Sequence, residues 1–78
     1  MEKIFVNLSN AQEVKTFVSV VEKYPFDIDL VSGRYVINAK SIMGIFSLDL
    51  SQPIELVALC DDKAAMEQFI TDIKAFLA

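Results

Sequence analysis

Residues 38–50 read NAKSIMGIFSLDL. Ser41 precedes Ile42, Met43, Ile45, Phe46 and Leu48, so the segment reads as a short apolar helix with a hydroxyl at its first position. That serine has two readings. It caps the free N–H groups of the first turn, or it is a regulatory phosphorylation site, because a phosphate at a helix N-terminus beside Lys40 is stabilised. Two turns of helix cannot bury every side. Lys40, Ile42, Met43, Ile45 and Phe46 are therefore candidate partner-binding residues, set against plain core packing.

Upstream, FDIDLV (26–31) alternates strictly and reads as a half-buried strand. Ser32-Gly33 then makes a tight turn into RYVINAK (34–40), completing a hairpin. KIFVNL (3–8) is β-branched and aromatic and reads as a first strand. In SNAQEVKTFVSVVEKY (9–24), Ala11, Val14, Phe17, Val18 and Val21 recur at helical spacing. Asn10 with Glu13 fits a capping-box start, and Ser9 with Gln12 is the competing frame. Pro25 ends the helix.

Downstream, Pro53 breaks the chain before a last strand, IELVALC (54–60). Asp61 or Asp62 caps a final helix whose Met66, Phe69, Ile70, Ile73, Phe76 and Leu77 form one apolar stripe. The order β-α-β-β-α-β-α predicts an α+β fold: a two-layer, open-faced β-sandwich with an antiparallel sheet and all helices on one face. Residues 1–78 make one domain. Alternation puts Phe5, Val57 and Leu59 on the uncovered face, where polar residues are the rule. They are the candidate oligomer face, and a homodimer is the assembly expected of them.

Seven basic and eleven acidic residues give a net charge of −4. The lysines are scattered, so neither nucleic acid nor an anionic membrane is an expected partner. No apolar run approaches the roughly 20 residues of a membrane span, and the start of the chain does not read as a signal peptide. The single cysteine, Cys60, forms no internal disulfide and reads as a core residue in a cytoplasmic protein. Asp61-Asp62 has no third ligand nearby, so no metal is expected. No cofactor motif, triad or glycine-rich loop is present, and an enzyme is not expected.

Lys40-Ser41-Ile42-Met43-Gly44 resembles the histidine-containing phosphocarrier (HPr) family of the bacterial sugar phosphotransferase system, where a serine in a near-identical stretch opens a short helix. IFSLDLSQPIELVA (45–58) continues the likeness, which covers about residues 2–77. The resemblance implies a sheet in the order 1-4-2-3. It also implies a dedicated kinase acting on Ser41, and a docking surface made by the short helix and the start of the first. Some histidine-free relatives keep only this serine and bind a carbon-catabolite transcription regulator once phosphorylated, so the resemblance names protein partners of both kinds.

The departure from the family is as informative. Its chemistry rests on a histidine before the first helix, an arginine two residues later, and then a proline. Counting back from Ser41 without gaps places these at Asn10, Gln12 and Glu13. An amide nitrogen is neither basic nor nucleophilic enough to carry a phosphoryl group. The sequence contains no histidine at all, so no shift of register supplies one. Asn10, Gln12 and Glu13 thus form a degenerate phosphocarrier site. The expected function is a non-catalytic regulatory or binding domain, with a homo-oligomeric assembly module as the alternative.

Overall fold

Three capping side chains decide where the helices begin in the computed structural model, which describes residues 3–78. Asn10, in extended conformation, accepts the Glu13 N–H at 2.9 Å and opens α1 (Ala11–Val21), which settles the frame against Ser9. Ser41 accepts the Gly44 N–H at 3.2 Å and opens α2 (Ile42–Phe46). Asp62, rather than Asp61, accepts from Ala64 and Ala65 at 3.0 and 3.3 Å and opens α3 (Lys63–Asp72).

The helices also stop for local reasons. α1 ends at Val21, ahead of Pro25, and its last carbonyls are tied off by three-residue bonds from Lys23 to Val20 and from Tyr24 to Val21. The apolar stripe predicted for the last helix is broken at Ile73. One turn of 3-10 helix, Lys74–Phe76, follows, and Leu77 leaves it extended. Phe76 stays buried, but Leu77 is exposed instead of lying in the core.

The strands are β1 (Ile4–Val6), β2 (Asp27–Ser32), β3 (Tyr35–Asn38) and β4 (Ile54–Leu59). They form one antiparallel sheet in the order β1-β4-β2-β3. β1 is shorter than its sequence pattern suggests. In the hairpin Ser32 pairs with Tyr35, so the turn residues are Gly33 and Arg34, one step later than the sequence reading. Gly33 has φ +60° and Arg34 does not share the positive φ, so a glycine at the first turn position is what the backbone requires.

One face of the sheet, with Val6, Ile28, Leu30, Ile54 and Leu56, is buried under Val14, Phe17, Val18 and Val21 of α1 and Phe69, Ile73 and Phe76. Phe17 meets Phe76 edge-on at 5.5 Å, and Phe69 meets Tyr24 at 5.1 Å and Phe26 at 5.7 Å. Cys60 is half-buried and lies outside this core, because β4 has ended and the chain is turning toward Asp62. The free edge of β1 is closed by the end of the chain. Val6 bridges Leu77, and the N–H groups of Asn7 and Ala78 donate to the carbonyls of Phe76 and Phe5 at 2.7 and 2.9 Å.

Candidate functional site

Helix starts are where this fold presents backbone N–H groups to an anion. At the start of α1 one of those groups, the Glu13 N–H, is met from within. The Asn10 side-chain oxygen takes the Glu13 N–H, and the Glu13 carboxylate accepts from the Ser9 N–H at 2.8 Å and from the Ser9 hydroxyl. The reciprocal bond thus reaches back to Ser9, one residue beyond the usual capping box. The Ser9 hydroxyl and then its N–H hold the Glu13 carboxyl below the usual carboxylate range. Gln12 is exposed beside it and carries no charge.

At the start of α2, Ser41 is exposed and its oxygen faces the Gly44 N–H. Gly44 has a packing reason to be glycine. A methyl group there would stand 3.1 Å from the Ser41 oxygen and 3.4 Å from the Ile37 side chain. The sequence placed the Lys40 ammonium beside Ser41. In the structure it donates at 2.8 Å to the Tyr24 carbonyl, just beyond the C-terminal end of α1. A cation is favourable there because the helix dipole is negative at that end.

The apolar residues of the α2 set divide. Ile45 is fully buried and belongs to the core, since α2 turns that side toward the sheet; it is therefore no docking residue. Ile42 is half-buried. Met43 and Phe46 remain 77 % and 43 % exposed, so they are the apolar surface α2 presents. α1 and α2 pack against each other.

The uncovered face of the sheet holds a second set. Phe5 and Leu59 are exposed and Val57 is half-buried, as the alternation requires. Strand register adds what the sequence reading did not join together. Phe5, Glu55, Val31 and Val36 lie in one cross-strand row; Val57, Asp29 and Asn38 lie in the next; Leu59 and Asp27 lie in a third. The face therefore mixes apolar and charged side chains.

Tyr24 was also missed as a junction. Its hydroxyl donates to Asp72, which Gln68 also contacts at 3.1 Å, and its ring packs on Phe26 and Phe69. Desolvation of the phenol, reinforced by the bond to Asp72 and its charge, pushes the Tyr24 pKa up to about 12. Among the described residues no cluster of metal-ligating side chains is present, and no helix is long and apolar enough to cross a membrane.

A family model described as the PTS HPr component phosphorylation site matches residues 9–78. Among solved structures, the crystal structure of HPr-C-His from Thermoanaerobacter tengcongensis is similar, with a TM-score of 0.71 and 30 % identity over 94 % of this chain and 90 % of that one. No curated protein matches the chain. With this fold, sheet order and family match, the chain belongs to the HPr family of the phosphotransferase system.

Proposed function

We propose that the chain is a non-catalytic binding domain of the HPr family that carries no phosphoryl group on histidine. It acts through the surface of α2 and the start of α1. The observation that carries this is the residue set at the α1 N-terminus, an Asn10 cap with the Glu13 carboxylate in the first turn. Asn10 stands where the family's histidine is counted to fall, and it spends its side-chain oxygen on the Glu13 N–H. Glu13 adds a negative charge in the first turn, and Gln12 offers none to balance a phosphate. A dianion arriving there meets a carboxylate instead of a cation.

Exposed Met43 and Phe46 supply the apolar part of a protein-binding surface, and Ser41 is the position for its control. A phosphate on Ser41 would add charge beside those two residues and change which partner fits. The partners of this reading are a serine kinase and a transcription regulator, in a cytoplasm where Cys60 stays a free thiol.

Mass spectrometry tests both parts. Incubated with phosphoryl-donor proteins of a phosphotransferase system, the chain keeps its mass while a histidine-bearing family member gains a phosphoryl group. A gain by this chain would overturn the non-carrier reading. With the family's serine kinase and ATP, Ser41 is the residue modified; an unmodified Ser41 where a histidine-bearing member is labelled removes the switch and leaves the binding domain.

The second reading, self-association through Phe5, Val57 and Leu59, has the exposure of Phe5 and Leu59 in its favour. Sedimentation at micromolar concentration decides it: a monomer that Phe5→Glu does not alter removes the assembly module.

A further inference from the structure

We propose that the free edge of β3 is an interaction surface, and that its occupant is β3 of a second copy of the chain, paired antiparallel so that two sheets join into one. The two edges of the sheet differ. The outer edge of β1 is bridged by Leu77, with backbone bonds from Asn7 and Ala78. β3 has β2 on one side and, among the described residues, no strand or bridge on the other. One bond shows which of its backbone groups face out. The Ala39 N–H donates to the Ile28 carbonyl at 2.8 Å, so Ala39 turns its backbone groups toward β2, and alternation gives Ile37 and Tyr35 the same direction. Val36 and Asn38 turn theirs away from the sheet. The Asn38 carbonyl accepts from the Ser41 N–H at 2.9 Å. The Val36 N–H, the Val36 carbonyl and the Asn38 N–H have no hydrogen-bond partner among the described residues. Free edges are commonly blunted by a charge, a proline or a bulge, and Tyr35-Val36-Ile37-Asn38 carries none of these. Instead Tyr35 is 70 % and Val36 63 % exposed, more than any other large apolar residue of the sheet.

The unpaired backbone groups select the conformation of the occupant. An extended strand satisfies them, whereas a helix has already bonded its own. The side chains then select a second copy. With a two-fold axis at Val36, the two Val36 residues exchange both backbone bonds, and each Asn38 N–H is brought to the Arg34 carbonyl of the other copy. Val36 meets Val36 on the open face, and Tyr35 meets Ile37 twice on the helical face. Aromatic and β-branched residues are favourable cross-strand partners. The nearest charges fit as well. The axis sets the two Arg34 residues about 14 Å apart at ~3.4 Å per residue, beyond the screening length of about 8 Å. Each arginine enters the row that holds Asn38 and Asp29 of the other copy, so opposite charges share a row. Lys40 is held at the Tyr24 carbonyl. An axis at Ile37 would set Val36 against Asn38 and ask a second bond of the Asn38 carbonyl, so Val36 is the favoured centre. This contact is the sheet edge, three strands away from Phe5, and so goes beyond self-association through Phe5, Val57 and Leu59. It uses four residues a side where a stable interface uses roughly 20–30, so the pairing is weak and belongs to high protein concentration.

The test follows translational diffusion and amide exchange of the full chain by NMR from micromolar to millimolar concentration. As concentration rises, diffusion should slow. The Val36 and Asn38 amides should gain protection, while those of Tyr35 and Ile37, already bonded to β2, change little. Val36→Lys and Val36→Glu alter an exposed side chain and should keep the monomer fold, which the amide spectrum checks. Each should weaken association roughly tenfold, because like charges then meet on the axis. An equimolar mixture of the two variants should restore it. Diffusion and exchange that stay constant up to millimolar concentration overturn the proposal. So does association that neither variant weakens, or a mixture no better than its components. Concentration-dependent shifts confined to Phe5, Val57 and Leu59 also overturn it, and assign self-association to the open face.

Discussion

Asn10 caps α1: its side-chain oxygen takes the Glu13 N–H, and Glu13 is anchored by Ser9 in the same turn. Asn10→Ala should cost about 1 kcal/mol in thermal or denaturant melts. Glu13 adds a pH dependence whose sign is fixed by its lowered pKa. The stability it contributes is present above the ordinary carboxylate value of 4.5 and is lost as pH falls through the lower folded value. Glu13→Gln should therefore be less stable than the native chain at neutral pH, with the gap closing in acid. Gly44 gives a double-mutant cycle. Alanine there gains up to about 1 kcal/mol of helix propensity over glycine. In the native chain its methyl group, 3.1 Å from the Ser41 oxygen, displaces the cap and offsets that gain. Gly44→Ala should thus be near neutral with Ser41 present and stabilising in a Ser41→Ala background, measured by denaturant midpoints.

Elements were legible where their cause is local. The cap at Ser41, the alternation of 26–31 and the helical spacing of 11–21 declare themselves in neighbouring residues, while Asn10 and Ser9 stayed rival caps until the Asn10 bond to the Glu13 N–H decided between them. What stayed hidden depends on residues far apart in the chain. Asp27 and Asp29 were visible on one side of β2, but only register sets them against Val57 and Leu59. Lys40 was placed beside Ser41 by sequence adjacency, whereas the fold brings the Tyr24 carbonyl within its reach. The Tyr24–Asp72 bond joins the segment after α1 to the end of α3 in the same way. Tyr24 remains a phenol below its ordinary value of 10.0, and the contribution it makes is lost as pH rises through about 12. Absorbance titration of the tyrosinates should show this late transition, and Asp72→Asn should move it to lower pH. Tyr24→Phe should destabilise by about 1 kcal/mol, the usual net worth of one hydrogen bond, here the one to Asp72.

The molecule as a whole has a thin margin. A domain of this length is typically stable by roughly 4–12 kcal/mol. Phe17 is fully buried and meets Phe76 edge-on. Phe17→Ala should cost about 3–5 kcal/mol, enough to lower the melting temperature sharply or to unfold the chain at 37 °C, as circular dichroism would show. The helical layer and the open face then present different surfaces, exposed Met43 and Phe46 on one and charged side chains among apolar ones on the other. The closure of β1 by Leu77 and Ala78 bears on how the chain is made. β1 is synthesised before either of its partners, β4 on one edge and Leu77 on the other. On a ribosome it would hang unpaired, with Phe5 and Val6 uncovered, until those partners emerged. The hairpin of β2 and β3 has no such wait, so assembly should start at that hairpin and finish with the pairing of β1.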